Sequence, residues 1–553
     1  MDNKHKRFIP ILLAAGIATG IAIGVFYTNL YSGNRPGVIK GSSNKINALL
    51  RIVDDSYVDT VKMEDLIERT MPLILSELDP HSSYIPAKDL EEVNSELKGH
   101  FSGIGIQFTI NDDTIHVNSV IPGGPSEKVG IMAGDRIIEV DDSVFVGKKV
   151  TNTEAMRRLK GEKGSKVKLG ILRPGEPETL YFTIIRGDIP VKSIDATYMI
   201  DGKWGFVKVN KFGETTYPEL LFALAKLNQG NMQGLIVDLR GNTGGYMAAA
   251  IQMVNEFLPA NKLIVYTEGK KYPRENYTSN GSGSCQSLPI IVLVDEGSAS
   301  ASEIFAGAIQ DNDRGIIIGR RTFGKGLVQQ PIEFNDGSAI RLTIARYHTP
   351  SGRCIQRPYE GGKGAEYDMD LLTRYEHGEF FSADSIRQNE KEIYYTGLGR
   401  KVYGGGGITP DIFVPHDTVG MTSYFRMAAN RGLIIRYAFD YTDQNRNVLT
   451  NYKTGDKLNE YLKTQNLLVR FSKWAEKKDL KRRNNMLITS KELFEKSIYG
   501  NIIYNMLGME EYVKYLNKTD NTVLKAVEVL EKGESVPQPT ATADGQATEK
   551  EAA

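Results

Sequence analysis

Three short apolar runs in the middle of the chain limit its fold more than any other feature. They are Gly234-Leu235-Ile236-Val237-Asp238-Leu239, residues 289–294 and residues 315–319. The first two are apolar and rich in β-branched residues, with Asp238 the one polar interruption, the pattern of strands buried on both faces. Helical patterns fall around them, over residues 217–227, about 246–257, and from Ser300 to about Asp311. Strands alternating with helices predict an α/β core. At 553 residues the chain is too long for one hydrophobic core, so several domains are expected.

The charge balance narrows the partners. Lys+Arg and Asp+Glu both number 68, which gives no global electrostatic case for nucleic acid. The basic run Lys477-Lys478-Asp479-Leu480-Lys481-Arg482-Arg483 reads as a solvated helix face. Only two cysteines occur, Cys285 and Cys354, too few for a disulfide framework, and their pairing is left open. Neither cysteine comes with the spacing of a metal site or the histidine and asparagine of a cysteine protease.

The N-terminus reads as a targeting segment. Lys4, His5, Lys6 and Arg7 precede an uncharged stretch over residues 8–27, long enough to cross a bilayer as a helix. The positive flank should stay in the cytoplasm and send the rest outward. A cleavable signal is the rival, but Gly24-Val25-Phe26-Tyr27 offers no small-x-small site, which favours an uncleaved anchor. The expectation is a single-pass inner-membrane protein whose main part is periplasmic or otherwise extracytoplasmic.

Texture along the chain predicts six regions. Residues 1–30 are the anchor or signal, 43–98 a helical region, 99–185 a block of short strands and glycine turns, 186–415 the α/β core, 418–533 a second helical region and 534–553 a disordered tail. No role beyond assembly or partner docking is read from 418–533, and self-association is left open.

Two runs in the core carry chemistry. In Gly297-Ser298-Ala299-Ser300-Ala301-Ser302-Glu303-Ile304 a hydroxyl stands at a helix start. In Thr322-Phe323-Gly324-Lys325-Gly326-Leu327-Val328-Gln329-Gln330 a lysine stands between two glycines at the start of an extended segment. A serine beside a lysine can act as a nucleophile without histidine, provided the amine is neutral. A free lysine titrates near 10.4, so burial among residues such as Phe323, Leu327 and Val328 must lower it by ~3 units, or ~4 kcal/mol. Gln329 can orient the amine without the charge by which a carboxylate would raise that pKa. The bland readings are a serine N-cap, a surface lysine and ladder glutamines. Glu303 reads as a first-turn carboxylate meeting the helix dipole. His81, in Asp79-Pro80-His81-Ser82, invites a serine–histidine reading, but sequence alone cannot bring it to Ser300. The lysine run lacks phosphate-loop spacing.

These runs closely resemble the carboxyl-terminal processing, or tail-specific, proteases. The resemblance implies a catalytic set of Ser300, Lys325 and Gln329, and selects Ser300 over Ser298 and Ser302. It also implies an oxyanion hole from the N–H of Ala301, after the nucleophile, and a glycine of the turn Asn242-Thr243-Gly244-Gly245, for which Gly244 is favoured over Gly245. The Asp79-Pro80-His81-Ser82 run belongs in that family to the framework near the cleft. The core is then expected to be crotonase- and Clp-protease-like. The block 99–185, with Gly103-Ile104-Gly105-Ile106 and Ala133-Gly134-Asp135-Arg136-Ile137, resembles a PDZ domain. There Gly103 and Gly105 would let N–H groups turn to a free carboxylate, and Ile104 and Ile106 would flank a pocket for an apolar last side chain. The expected function is a serine endopeptidase, a Ser–Lys dyad enzyme that takes extracytoplasmic proteins by their C-termini and needs no metal or other cofactor. The rivals are an inactive PDZ scaffold that only binds tails, and an esterase on the same core.

Overall fold

The computed structural model describes residues 19–20, 42–147 and 150–539. The chain divides into two compact units, 1–73 and 74–553. The described part of the first is helical: Ser42–Ser56, and the opening turns of Met63–Ser76. Apart from Thr19 and Gly20, the apolar stretch 8–27 lies outside the described residues, as does the expected tail beyond 539. Among the described residues no helix is long and apolar enough to cross a membrane.

The second unit is built on a six-stranded sheet. Its order is Ile194–Ile200, Trp204–Val209, Gly234–Asp238, Ile290–Val294, Ile316–Gly319 and Ile412–Phe413. The first pair is antiparallel and every later pair parallel. Gly234–Asp238, Ile290–Val294 and Ile316–Gly319 are buried throughout, as their apolar sequence favours, with Asp238 paired to Lys208 and Arg240. One face packs Val207, Leu235, Val237, Val292 and Ile317 against helices Thr216–Asn228, Met247–Asn255 and Ala301–Asp311.

The other face is covered from far along the chain. Phe206, Ile236, Ile291, Leu293 and Ile318 pack against Val523, Ala526, Val529 and Leu530 of helix Asn521–Glu531. The N-cap of that helix, Asp520, also pairs with Arg240 through both carboxylate oxygens at 2.9 Å. Sequence gave the 418–533 region no role in the core, because period alone does not say which surface a helical stripe meets.

A second sheet flanks the first. Strand Ala339–His348 pairs with Ser83–Ile85, Leu263–Glu268 and Leu327–Glu333, and Leu263–Glu268 pairs with Glu275–Thr278. Residues 106–185 form a smaller sheet in the order Ile106–Asn111, Thr114–Val120, Arg136–Val140, Lys166–Leu172 and Leu180–Ile185, with helix Asn152–Leu159 and its own core. This module leans on helix Leu433–Leu449: Arg136 pairs with Asp443 at 2.8 Å, and His116 meets Phe439 edge-on at 5.2 Å. Cys285 and Cys354 are free thiols.

Leu530 is 4% exposed beneath the sheet. Leu530→Ala should cost about 2–5 kcal/mol and lower the urea midpoint of the whole catalytic unit; an unchanged midpoint would show that the last helix is not integral to the core.

Candidate active site

Three loops leave the C-terminal edge of the parallel sheet side by side, because the strands that feed them are neighbours. Open α/β sheets place their sites at this edge. The loop after Gly234–Asp238 carries the glycine turn, the loop after Ile290–Val294 carries Ser300, and the loop after Ile316–Gly319 carries Lys325. Backbone bonds stitch them together. Ala299 N–H donates to Asn242 O at 3.0 Å, and Phe323 N–H to Ser298 O at 3.0 Å.

The three serines of the first run separate by environment. Ser298 and Ser302 are fully buried, and their hydroxyls donate to Leu239 O and Asn242 O, each at 2.8 Å. Ser300 is half-buried and lines a cleft of about 640 Å³. Its backbone is held at φ 54° and ψ −113°, a conformation rare for any side-chain-bearing residue. Such a state costs about 1–3 kcal/mol and persists only where the surroundings enforce it. A sharp turn between strand and helix is how α/β folds expose a nucleophile.

Glu303 does the enforcing. Fully buried, its carboxylate accepts from Ser300 N–H (2.9 Å), Thr322 Oγ1 (2.5 Å), Gly324 N–H (2.7 Å) and Lys325 N–H (2.8 Å). Burial pushes its pKa up, and these donors, Thr322 foremost, pull it back. Four donors on two oxygens suit the ionised form, which only accepts. Glu303 thus ties the serine loop to the lysine loop, a larger task than the dipole role expected of it. Its spacing of three from Ser300 is that of a capping box, the one sequence signal that pointed here. Tyr347, without any such signal, adds a second tie: its hydroxyl bridges Ser300 O (3.0 Å) and Lys325 O (2.5 Å).

Lys325 lines the same cleft, and its Nζ donates to Gln329 Oε1 at 3.0 Å. Burial lowers the pKa of the amine and the Arg341 cation lowers it further, while Glu303 and Asp79 pull the other way. Gln329 is fixed in turn, donating from Nε2 to His81 O at 2.6 Å. Asp79 shapes that turn by accepting from His81 N–H and Ser82 N–H, each at 2.8 Å, and from Ser82 Oγ at 2.6 Å. The His81 ring bonds Tyr367 Oη at 2.9 Å and is held neutral, with a pKa of about 4, chiefly by burial. Its backbone carbonyl, rather than its ring, serves the site.

The expected oxyanion donors sit beside the serine but differ in availability. Ala301 N–H has no protein partner among the described residues. Gly244 is so close that a Cβ there would stand 2.8 Å from Ser300 Cβ and 2.7 Å from Ala299 O. Its own N–H, however, donates to Asn242 Oδ1 at 2.8 Å. The N–H of Gly245 has no protein partner among the described residues.

The expected tail-binding residues are not in the cleft. Gly103 ends a strand, and Gly105, at φ 79°, opens the edge strand Ile106–Asn111. Ile104 and Gly105 have N–H groups without protein partners among the described residues. The Ile104 side chain is 3% exposed and fills the module's core, so it does not flank an open pocket; Ile106 is half-buried at the edge.

Known proteins match along most of the chain. The model of peptidase family S41 matches residues 203–371, that of the PDZ domain 102–184, and one of a family of unknown function 424–508. A carboxy-terminal-processing protease of Bartonella bacilliformis is 32% identical over 413 residues, covering 74% of this chain and 92% of its own. The chain belongs to peptidase family S41. It is a serine-type peptidase with a PDZ domain, as the two motif runs led one to expect. The carboxy-terminal processing protease CtpB of Bacillus subtilis is 31% identical over 350 residues, 63% of this chain and 70% of that one. Among solved structures, a photosystem II D1 C-terminal processing protease is 24% identical, covers 68% of this chain and 94% of its own, and has a TM-score of 0.34.

Glu303→Gln puts an amide where four donors converge, leaving buried donors unmatched at roughly 1–3 kcal/mol each. The substitution should lower the unfolding midpoint and should reduce kcat tenfold or more; full activity in a stable Glu303→Gln enzyme would remove Glu303 from the site.

Proposed function

We propose that this peptidase hydrolyses proteins bound through their C-terminal tails, with Ser300 as nucleophile, Lys325 as general base and Gln329 positioning the amine. One observation carries the reading: Ser300 and Lys325 line one cleft, and a single buried carboxylate fixes both backbones. Ser300 Oγ attacks the scissile carbonyl while neutral Lys325 Nζ takes its proton. The ammonium then protonates the leaving amine, giving an acyl-enzyme. Water, deprotonated by the same amine, releases the acyl group. The oxyanion is met by Ala301 N–H, at the positive end of helix Ala301–Asp311, and by the glycine turn. Within that turn the free N–H of Gly245 is the better donor; Gly244 serves only on leaving Asn242.

The substrate tail would extend the small sheet as one more strand on Ile106–Asn111, its carboxylate on the N–H groups of Ile104 and Gly105. Outward placement behind a membrane tether is supported by the basic flank and apolar stretch of residues 4–27. The six-region division read from sequence supports the same layout, with the last helix of 418–533 reassigned to the core.

Ser300→Ala and Lys325→Ala should each lower cleavage of an unfolded, tailed protein by at least about 10⁴-fold. A serine-directed phosphonate should label Ser300, and label it far more slowly in Lys325→Ala. Peptide products persisting in Ser300→Ala would sink the dyad, and a wild-type protein that binds tails yet cleaves nothing would favour the scaffold. The base is active when neutral, so kcat/KM should rise with pH through the lowered Lys325 pKa. Of the groups facing Lys325, cationic Arg341 lowers that pKa, the Glu303 and Asp79 carboxylates raise it, and neutral His81 adds no charge. A rate that falls as pH rises from 6 to 8 would contradict this role.

A further inference from the structure

Among the described residues, three cationic side chains line the cleft that holds Ser300: Lys211, Lys325 and Arg341. Lys325 is engaged by Gln329, and as the proposed base it must be neutral when it acts. Arg341 differs from it. A guanidinium stays charged at any working pH and offers five N–H donors in a rigid fork. Strand Ala339–His348 holds Arg341 between Ser83 and Pro331 of its two neighbours, half-buried in the cleft wall. Among the described residues no hydrogen bond or ion pair engages its side chain. Elsewhere in this core half-buried and buried arginines are engaged: Arg240 with Asp238 and Asp520, Arg320 with Glu296, Arg321 with Glu379, Arg353 with Asp311, and Arg314 with the carbonyls of Phe257, Cys285 and Leu288. A cation drawn partly out of water without a counter-ion is costly, and a carboxylate offering two oxygens to the fork offsets that cost best.

We propose that Arg341 is a specificity residue of the cleft, pairing with a substrate carboxylate close to the scissile bond. The ligand class is a carboxylate, supplied either by an aspartate or glutamate side chain or by the chain's own terminus a few residues past the cut. This rests on Ser300 being the nucleophile of the same cleft. It does not concern the PDZ site, which takes the tail at a distance from the cleft. The consequence is selection at the cleavage step itself: among tails of equal PDZ affinity, those placing a carboxylate opposite Arg341 are cut faster.

The test uses the full chain and four peptides sharing one cleavage sequence: glutamate or glutamine near the cut, each with a free or an amidated terminus. kcat/KM is measured for wild type, Arg341→Met and Arg341→Lys, with folding checked by the thermal midpoint. Wild type should prefer the carboxylate-bearing peptides by about tenfold or more, the scale of one charge-assisted pair. Arg341→Met should flatten that preference, and Arg341→Lys should restore part of it. The glutamate arm and the free-terminus arm identify which carboxylate is read. Because the PDZ domain is unaltered in both variants, only a preference that changes with residue 341 counts for the cleft. A preference untouched by either substitution, or absent in wild type, overturns the inference and leaves the peptidase reading standing. Should wild type cleave none of the four, the peptidase reading falls instead. Binding of the same peptides to Ser300→Ala, with Arg341 present or replaced, then decides the anion site alone.

Discussion

The buried carboxylate of Glu303 is the interaction on which the rest of the site depends. A strained backbone at Ser300, a glycine-flanked lysine and a helix start do not by themselves make a site. What makes them one site is a single charge accepting from both backbones, sheltered at the base of the cleft. Burying a carboxylate is costly, and the cost is met by four donors that the loops would otherwise have to satisfy separately. The same charge opposes the lowering of the lysine pKa, so burial and Arg341 must outweigh it. The site is a balance: the group that sets its geometry works against its chemistry.

Positioning extends outward in the same manner. Gln329 holds the amine, the carbonyl of His81 holds Gln329, and Asp79 folds the turn that presents that carbonyl. The chain from Asp79 to Lys325 carries no histidine ring and no catalytic carboxylate. It orders the Lys325 amine in a cleft where burial disfavours the ammonium.

Much of this was legible from residues. The buried strands announced themselves through apolar runs rich in β-branched residues, and the two motif runs named Ser300, Lys325 and Gln329. Other features were not legible. Glu303 looked like any first-turn acid, because sequence shows its distance from Ser300 but not the lysine loop folding over it. Gly244 and Gly245 are indistinguishable in sequence; only Asn242, by taking the N–H of the first, separates them. Ile104 was assigned to a pocket from its place between glycines, yet the turn at Gly105 aims it inward. Arg341 and Tyr347 sit in an ordinary strand and gain significance only from what that strand faces.

The helix Asn521–Glu531 has a consequence for how the molecule is made. Strands near residues 204–240 lie against a cover some 290 residues later in the chain. During synthesis at about 5–20 residues per second, the apolar underside of those strands waits on the order of 15–60 s for its lid. Closing so long a loop adds little equilibrium cost, since the entropy grows only with the logarithm of length. The delay is kinetic. The half-made polypeptide carries all three loops of the site on an uncovered sheet, so the site matures only once that distant helix has been made.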